Sequence, residues 1–583
     1  MRTAAGSQHE NTQHKQQLQD CRKLNFEYFL KLATRHLVTS ETASTPSCSA
    51  DYGEQYLRRW NKLQDSYCNT SLSSSAAETQ TSISSSVACH AHPEADLATC
   101  AARNLVLQSS TAFLGSKDGI AGLPNPAAGS IRLSCKRTAD PKAFLRGRLQ
   151  SNEGSRMMLV QAPQFDVRAA EQARACSAAR TIQHPVLFLM RVDPENAFHN
   201  LETVVSMFAA LATLQLQPQQ YNGGLEVVIA DDRVPGYFSA VWRRLSHPHP
   251  LRVLREQPFP AGTCFATALL APYTAHTQSL LTYKAGTADE VLCESVVLHA
   301  TSLWLRHLFR DLLPMRPHHT SSTGGSRDAE SHEGTASGSS SSSHSRASRR
   351  NNSTAPGSGS ARSWRSSWYH YGAAAAADVA LLQPSPTQSP LQLQQLHLLW
   401  LSRSRYERQQ EQALSAWQRA RQLPASQQEQ LLVELQRAVL RWNEQTCLPG
   451  QQTNCSSRAV AFSLQVAELS ELPFYPDQIS LLMRTGVLMG VHGAGLANQV
   501  FMKPRLGAVV ELWHNMENNF HYHNLAHMLG HRYFNVRSEQ ELDVPAVVAA
   551  AVAAMDAVAA ARAAAAAAGS GSGSWWWRRP WQG

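Results

Sequence analysis

The chain has 583 residues, room for three or four domains of roughly 150 residues each, so a small disulfide-stapled scaffold and a minimal single domain are both excluded. Hydrophobic residues make up 43% and charged residues only 17%, below the ~25% usual in soluble domains; Ser, Ala, Gln and His fill the difference in particular stretches. The net charge is +9, but residues 321–365 hold six Arg against three acids and Arg578 and Arg579 lie in low-complexity sequence, which accounts for five of the nine charges; with no zinc-finger spacing, RNP-type motif or basic heptads, no nucleic-acid partner is expected.

In chain order, residues 1–150 are Ser/Thr/Gln-rich with isolated apolar islands and read as a stem or a partly ordered subdomain pinned by cysteines. The first twenty residues hold no apolar run, and LNFEYFLKLATRHLV (24–38) is broken by Glu27, Lys31 and Arg35. Neither a signal peptide nor a membrane anchor is therefore visible. The eleven cysteines include no CxxC pair, which favours disulfides in an oxidising compartment over zinc or redox motifs. Sequons at Asn69, Asn351, Asn352 and Asn454 point the same way.

At residues 183–191 the pattern changes. QHPVLFLMR (183–191) is a continuous apolar run that predicts a buried strand, and NAFHNLETVVSMFAALATLQL after it has helical apolar spacing. LEVVIADD (225–232) predicts the next strand, YFSAVWRRL an amphipathic helix and LRVL a short strand. Residues 318–378 are a Ser/Gly/Arg insertion with too little apolar surface to order itself. LHLLWLSR (396–403) predicts a strand, and 404–442 a long Gln/Arg/Leu-rich helical excursion. AVAFSLQVAEL (459–469), GVLMGV (486–491) and LGAVVELW (506–513) are further strands, with DQISLLMRT a helix between the first two. Residues 544–568 are Ala-rich but interrupted by Asp556 and Arg562, which predicts a low-complexity helix and not a span. Alternating strand and helix predicts parallel sheets. The expected architecture is α/β, two Rossmann-like halves at 151–317 and 379–545 facing a cleft, with the stem at 1–150, the insertion at 318–378 and a low-complexity tail at 546–583.

GVLMGVHGAGLANQVFMKPRLGAVVELWH (486–514) carries the sharpest chemical signal. A buried strand ends at Val491, His492-Gly493-Ala494-Gly495 turns the chain, and LANQVF begins a helix. Glycines let backbone N–H groups approach an anion, and a helix N-terminus adds unpaired donors and partial positive charge, so a phosphate or diphosphate fits there. Glu511, about twenty residues on at the end of the next strand, has the placement of a carboxylate that binds ribose hydroxyls. A lone GxG also occurs in plain strand-to-helix turns, and H-G-A-G-L-A-N lacks the G-x-G-x-x-G spacing of an NAD enzyme.

These residues resemble glycosyltransferase family 61. HGAGLANQVFMKPRLGAVVEL is similar to the family's turn, aromatic, Pro-containing loop and strand ending in Glu. PENAFHNLETVVSMFAAL is similar to its early helix, LEVVIADD to the following strand, LHLLWLSRSRYERQ to the strand ending in an Arg-containing loop, and YHNLAHMLGHRYF to the closing helix and strand. The likeness covers residues 183–316 and 394–540. It implies a GT-B-like fold with the donor in the C-terminal half, and an inverting transferase of the Golgi or endoplasmic reticulum lumen. Such an enzyme moves N-acetylglucosamine or a pentose such as xylose from a UDP-sugar to a hydroxyl of a protein or glycan, as do family members acting on EGF domains and O-mannose glycans and the plant xylosyl- and arabinosyltransferases. The Ser-rich insertion, the Gln-rich excursion and the Ala-rich tail depart from the family's pattern.

The resemblance also implies roles for single residues. Arg403, Arg405 and Arg408 clamp the donor diphosphate, because guanidinium forks match phosphate oxygens; solvated helix residues are the other reading of Arg405 and Arg408. His492, with Gly493 and Gly495, holds the leaving diphosphate or the donor sugar, Asn498 caps the helix or touches phosphate, and Glu511 takes the ribose. His199 and Glu202, three apart on one helix face, supply the base that removes the acceptor proton as the hydroxyl attacks C1; the alternative for His199 is a packed core histidine. His523, His527 and His531 recur at i, i+4 and i+8, and Asp231-Asp232 ends a strand, yet neither is preferred as a metal site. No cofactor is expected, the UDP-sugar being a substrate, and Mn or Mg dependence is not favoured because a helix dipole and Arg suffice for a diphosphate. The expected partners are the nucleotide-sugar donor and a protein or glycan acceptor. The alternative function is a catalytically inactive carbohydrate-binding or scaffold protein that retains the fold.

Overall fold

The computed structural model describes residues 24–38, 53–69, 85–91, 98–108, 131–133, 136–137, 165–166, 180–191, 193–194, 196–216, 223–231, 233, 236, 238–270, 290–312, 394–402, 423–445, 460–468, 476–514, 519–538 and 541–571. The chain divides into one unit of Met1–Leu313 with Ser385–Gly583 and a second of Pro314–Pro384. Every element below belongs to the first.

Helices α1 (Phe26–Val38) and α2 (Glu54–Lys62) precede β1 (Gln64–Asn69), β2 (Ser86–Ala91), β3 (Ala98–Leu107), β4 (Ile131–Arg132), β5 (Lys136–Arg137), β6 (Phe165–Asp166), β7 (Thr181–Ile182) and β8 (Val186–Leu189). Then come α3 (Ala197–Leu214), β9 (Glu226–Ile229), α4 (Ser239–Ser246), β10 (Arg252–Val253), β11 (Thr263–Leu270) and α5 (Val296–Leu308). In the first sheet β10, β9, β8 and β11 run parallel in that order, and β11 pairs antiparallel with β3, from which β2, β1 and β5 continue as an antiparallel ribbon. All four residues of β8 and of β9 are buried, as a strand covered on both faces requires. Asn196 caps α3 by accepting from the Phe198 amide at 3.0 Å.

Of the two readings of residues 1–150, a stem or a partly ordered subdomain, the described segments within 53–107 fit the second, because they supply α2 and three strands of this sheet. Tyr56, Leu57 and Trp60 of α2 are buried, and Phe26 of α1 packs 5.3 Å from Phe208 and 5.9 Å from Trp304. A half-buried strand needs an apolar residue only at every second position, so its composition resembles a stem. Cys89 and Cys100 stand directly opposite on β2 and β3 and form a disulfide. Strand β11 and helix α5 are not among the elements expected from the sequence.

The second sheet uses β12 (Gln394–Ser402), α6 (Ala425–Gln445), β13 (Val460–Glu468), α7 (Pro476–Arg484), β14 (Thr485–Val491), a 3-10 helix (Ala494–Phe501), β15 (Ala508–His514), α8 (His521–Met528), β16 (Arg532–Ser538) and α9 (Val544–Gly571). Its five strands are all parallel in the order β13-β12-β14-β15-β16, a doubly wound sheet that reverses between β12 and β14. Helices α6 and α9 cover one face through Leu431, Leu435, Val547, Ala551, Met555 and Val558. Thus α9, expected as a low-complexity helix leading into a tail from 546, packs on this sheet: its small apolar residues fall on one helical stripe, and Asp556 accepts from Trp442 Nε1 at 2.9 Å. Both α3 and the segment Val544–Ala567 are long and apolar enough to cross a membrane, and both pack against sheets in this fold.

The opposite face of the second sheet, with Leu399, Leu401, Leu488 and Val509, shares one core with Leu187, Leu189, Val227 and Ile229 of the first sheet, and α3 and α5 lie in that core. Helix α5 joins the halves through polar contacts at its start. Arg505 donates to both Glu294 oxygens at 2.6 and 3.1 Å, and the Ser295 amide donates to the Met528 carbonyl at 2.9 Å. Gly530 has φ +67°, and a Cβ there would lie 2.6 Å from Arg505 Cγ and 2.8 Å from Glu294 Oε2, so only glycine fits. The protein is therefore α/β with one mixed and one parallel sheet.

Candidate functional site

The crossover from β12 through α6 lies on one face of the parallel sheet and the connection from β14 through the 3-10 helix on the other. That reversal falls between β12 and β14, beyond whose carboxyl ends open α/β sheets bind ligands. Two of the expected elements meet there: Ser402, which ends β12, and the His492-Gly493 turn, which ends β14. Arg403, Arg405 and Arg408, next along the chain from β12, lie outside the described residues.

The turn is braced from below. The His492 amide donates to the Leu512 carbonyl at 2.9 Å and the Leu496 amide to Gly493 O at 2.9 Å. The chain then enters a 3-10 helix whose first amides have no partner within the helix. Asn498, expected to cap the helix or touch phosphate, is fully buried and donates to Gly495 O at 2.9 Å. It therefore ties the turn together, in keeping with the other reading of Asn498 as a helix residue bonded to backbone.

Glu511 requires the larger correction. Its side chain is completely buried: one oxygen lies 2.5 Å from His492 Nδ1 and the other accepts the Tyr533 hydroxyl at 2.5 Å. With both oxygens engaged inside the protein, it is not available to ribose hydroxyls. The reason is strand alternation: Val509, Glu511 and Trp513 point to the helical core face, where Tyr533 of β16 meets Glu511. Burial and the adjoining carboxylate hold the Tyr533 hydroxyl far above its ordinary pKa, so it stays protonated and donates. Among the described residues, Nε2 of His492 has no hydrogen-bond partner.

The helix α3 carries a second pair of the same kind. His199 Nδ1 lies 2.6 Å from Glu202 Oε2; Glu202 is wholly buried while His199 keeps a small exposed surface. Of the expected pair, then, His199 keeps the small exposed surface and Glu202 lies wholly buried against its Nδ1. Aromatic rings connect the two pairs: Phe198 is 5.8 Å from Tyr522, whose ring is 4.9 Å from His492.

Asp231 is committed elsewhere. It accepts from Arg191 Nη2 at 2.6 Å, Nε at 2.9 Å and the backbone amide at 3.0 Å, and both side chains are buried. We expect Asp231→Ala to cost about 3–5 kcal/mol in urea unfolding by leaving a buried guanidinium unpaired; a loss below about 1 kcal/mol would contradict the pairing. His523 and His527 are ring neighbours at 4.4 Å, whereas His531 sits apart with Nε2 at 3.3 Å from Gln499 O. Among the described residues no group of three or more His, Cys, Asp or Glu is arranged to hold a metal ion.

Beside the Tyr533 hydroxyl opens a cavity of about 420 Å³, lined by Glu290, Trp513, Phe520, His523, Tyr533, Asn535 and Arg537. Trp513 and Phe520 are 5.6 Å apart and Arg537 lies 5.0 Å over the Trp513 ring. This size suits a nucleoside-sized ligand. No protein-family model and no curated protein matches this chain. Sequence reasoning missed the cavity, although the signal was present: Tyr533, Asn535 and Arg537 alternate along β16, so they share a face with each other.

Proposed function

We propose that this chain is an inverting glycosyltransferase of GT-B-like organisation that moves a sugar, N-acetylglucosamine or a pentose such as xylose, from a UDP-sugar to a hydroxyl of a protein or glycan. The observation that carries this reading is the glycine turn at the reversal point of the parallel sheet, with the His492–Glu511 pair beneath it and a nucleoside-sized cavity alongside. The acceptor hydroxyl attacks C1 of the sugar, its proton passes to His199, and the C1–O bond to the diphosphate breaks with inversion. The turn amides and His492 stabilise the charge growing on the leaving UDP, and Arg403, Arg405 and Arg408 belong to the loop assigned to the same diphosphate. Glu202 and Glu511 orient the two histidines. The Cys89–Cys100 disulfide and the disulfide-bonded Cys264 and Cys293 support an oxidising compartment, here the secretory lumen.

The test is UDP release by the full chain from a secretory host, with UDP-N-acetylglucosamine, UDP-xylose, UDP-arabinose and UDP-galactose, each with and without EDTA. We expect one donor to be hydrolysed and His492→Ala to slow it by about 10²–10³-fold. A chain that is neither active on any donor nor thermally stabilised by one would refute the donor site. Stabilisation with no turnover on any hydroxyl acceptor would favour the inactive carbohydrate-binding alternative.

A further inference from the structure

We propose that Tyr533 is a positioning residue that couples the occupant of the cavity to the histidine at the glycine turn, through Glu511. This rests on the donor-site reading and adds how its two halves communicate. The hydrogen bonds converge on one carboxylate from two sides. Asn535 Nδ2 donates to the Tyr533 oxygen at 3.2 Å, the Tyr533 hydroxyl donates to Glu511 Oε2 at 2.5 Å, and Glu511 Oε1 meets His492 Nδ1 at 2.5 Å. One end is wet and the other lies at the turn. Asn535 is exposed and lines the cavity with Tyr533, whereas Glu511 is fully buried and His492 nearly so.

A ligand group that bonds Asn535 or the Tyr533 oxygen immobilises the Tyr533 hydroxyl and so fixes the Glu511 carboxylate in the orientation that receives Nδ1–H. With Nδ1–H held, an anion at the turn is met by Nε2–H of the imidazolium form of His492. Conversely, an anion held there fixes the ring, and with it the carboxylate to which Tyr533 donates. Binding in the cavity and binding at the turn therefore reinforce each other, and the reinforcement must be reciprocal. The cavity has the volume for a nucleoside and the turn suits a diphosphate, so the chain would favour the two when they arrive joined.

Uridine and inorganic pyrophosphate are the probes, titrated separately and together into the full-length protein by calorimetry. In the wild type we expect pyrophosphate to tighten uridine binding, and uridine to tighten pyrophosphate binding, by the same factor of at least about fivefold. Tyr533→Phe keeps the ring and its 4.8 Å contact with His523 but deletes the hydroxyl. Each probe should still bind this variant alone, and the factor should fall to about one. Asn535→Ala, at an exposed position, should weaken the coupling without lowering the melting temperature, which guards against a Tyr533→Phe protein that fails to fold. Undiminished coupling in a folded Tyr533→Phe protein, or independent binding of both probes to the wild type, would overturn the coupling while leaving the donor site intact. If the wild type binds neither probe, the donor-site reading falls and the coupling falls with it.

Discussion

Between pH 6.5 and about pH 4 the folded protein is expected to lose about 5–7 kcal/mol of stability. Burial is the main cause in three histidines: His397, His527 and His531 are each pulled from 6.5 to about 4, His397 with help from Arg484, and His527 from His523 and Arg532. Each is neutral in the fold, and the unfolded chain takes up its proton first. Stability is therefore full above pH 6.5 and is lost as the pH falls toward 4, by roughly 3 kcal/mol for fully buried His531 and by about 1–2 kcal/mol each for His397 and His527, which solvent partly screens. Fully buried His299 is lowered in the same direction. Since whole domains hold only about 5–15 kcal/mol, acid unfolding should occur within this window. Urea midpoints measured stepwise from about pH 7.5 to about pH 4.5 check it; midpoints that stay level would mean these histidines are hydrated or already charged.

The second large effect is expected from Glu294→Ala, a loss of about 3–5 kcal/mol. Glu294 is 7% exposed and holds Arg505 by two hydrogen bonds, with His299 Nε2 3.2 Å away. Burial opposes its charge, but His299 and Arg505 outweigh it and hold the carboxyl at about 2. Its contribution is accordingly present above the unfolded value of 4.5 and lost only as the pH falls through about 2, a window below that of the histidines. Because Glu294 starts α5 and Arg505 lies between the 3-10 helix and β15, the variant should loosen the first sheet against the second. A double-mutant cycle with Arg505→Met reads the pair directly, with about 1–3 kcal/mol of coupling expected. Additive single effects would show that the pair does not join the halves.

The parallel sheet was the most legible part of the sequence, because runs such as GVLMGV and LHLLWLSR are apolar on both faces and admit one interpretation. The antiparallel ribbon was not, since QDSYCN and SVACHA hold no continuous apolar run and read as polar linker. The α9 stripe was hidden for a related reason: more than half of that segment is alanine, and only a neighbouring surface decides which alanines are buried. At the site, the His492 turn followed from its glycines. The partner of Glu511 did not, because Tyr533 comes from another strand and a pairing between strands has no local trace in the chain.

The pairing of β11 with β3 also bears on synthesis. Residues 98–107 leave the ribosome well before residues 263–270, so for a time on the order of ten seconds at about 5–20 residues per second the edge of β3 faces water with its amides and carbonyls unpaired. During that interval the nascent chain offers a ready template for another strand, and a holding chaperone at that edge would be needed longest under conditions that slow elongation.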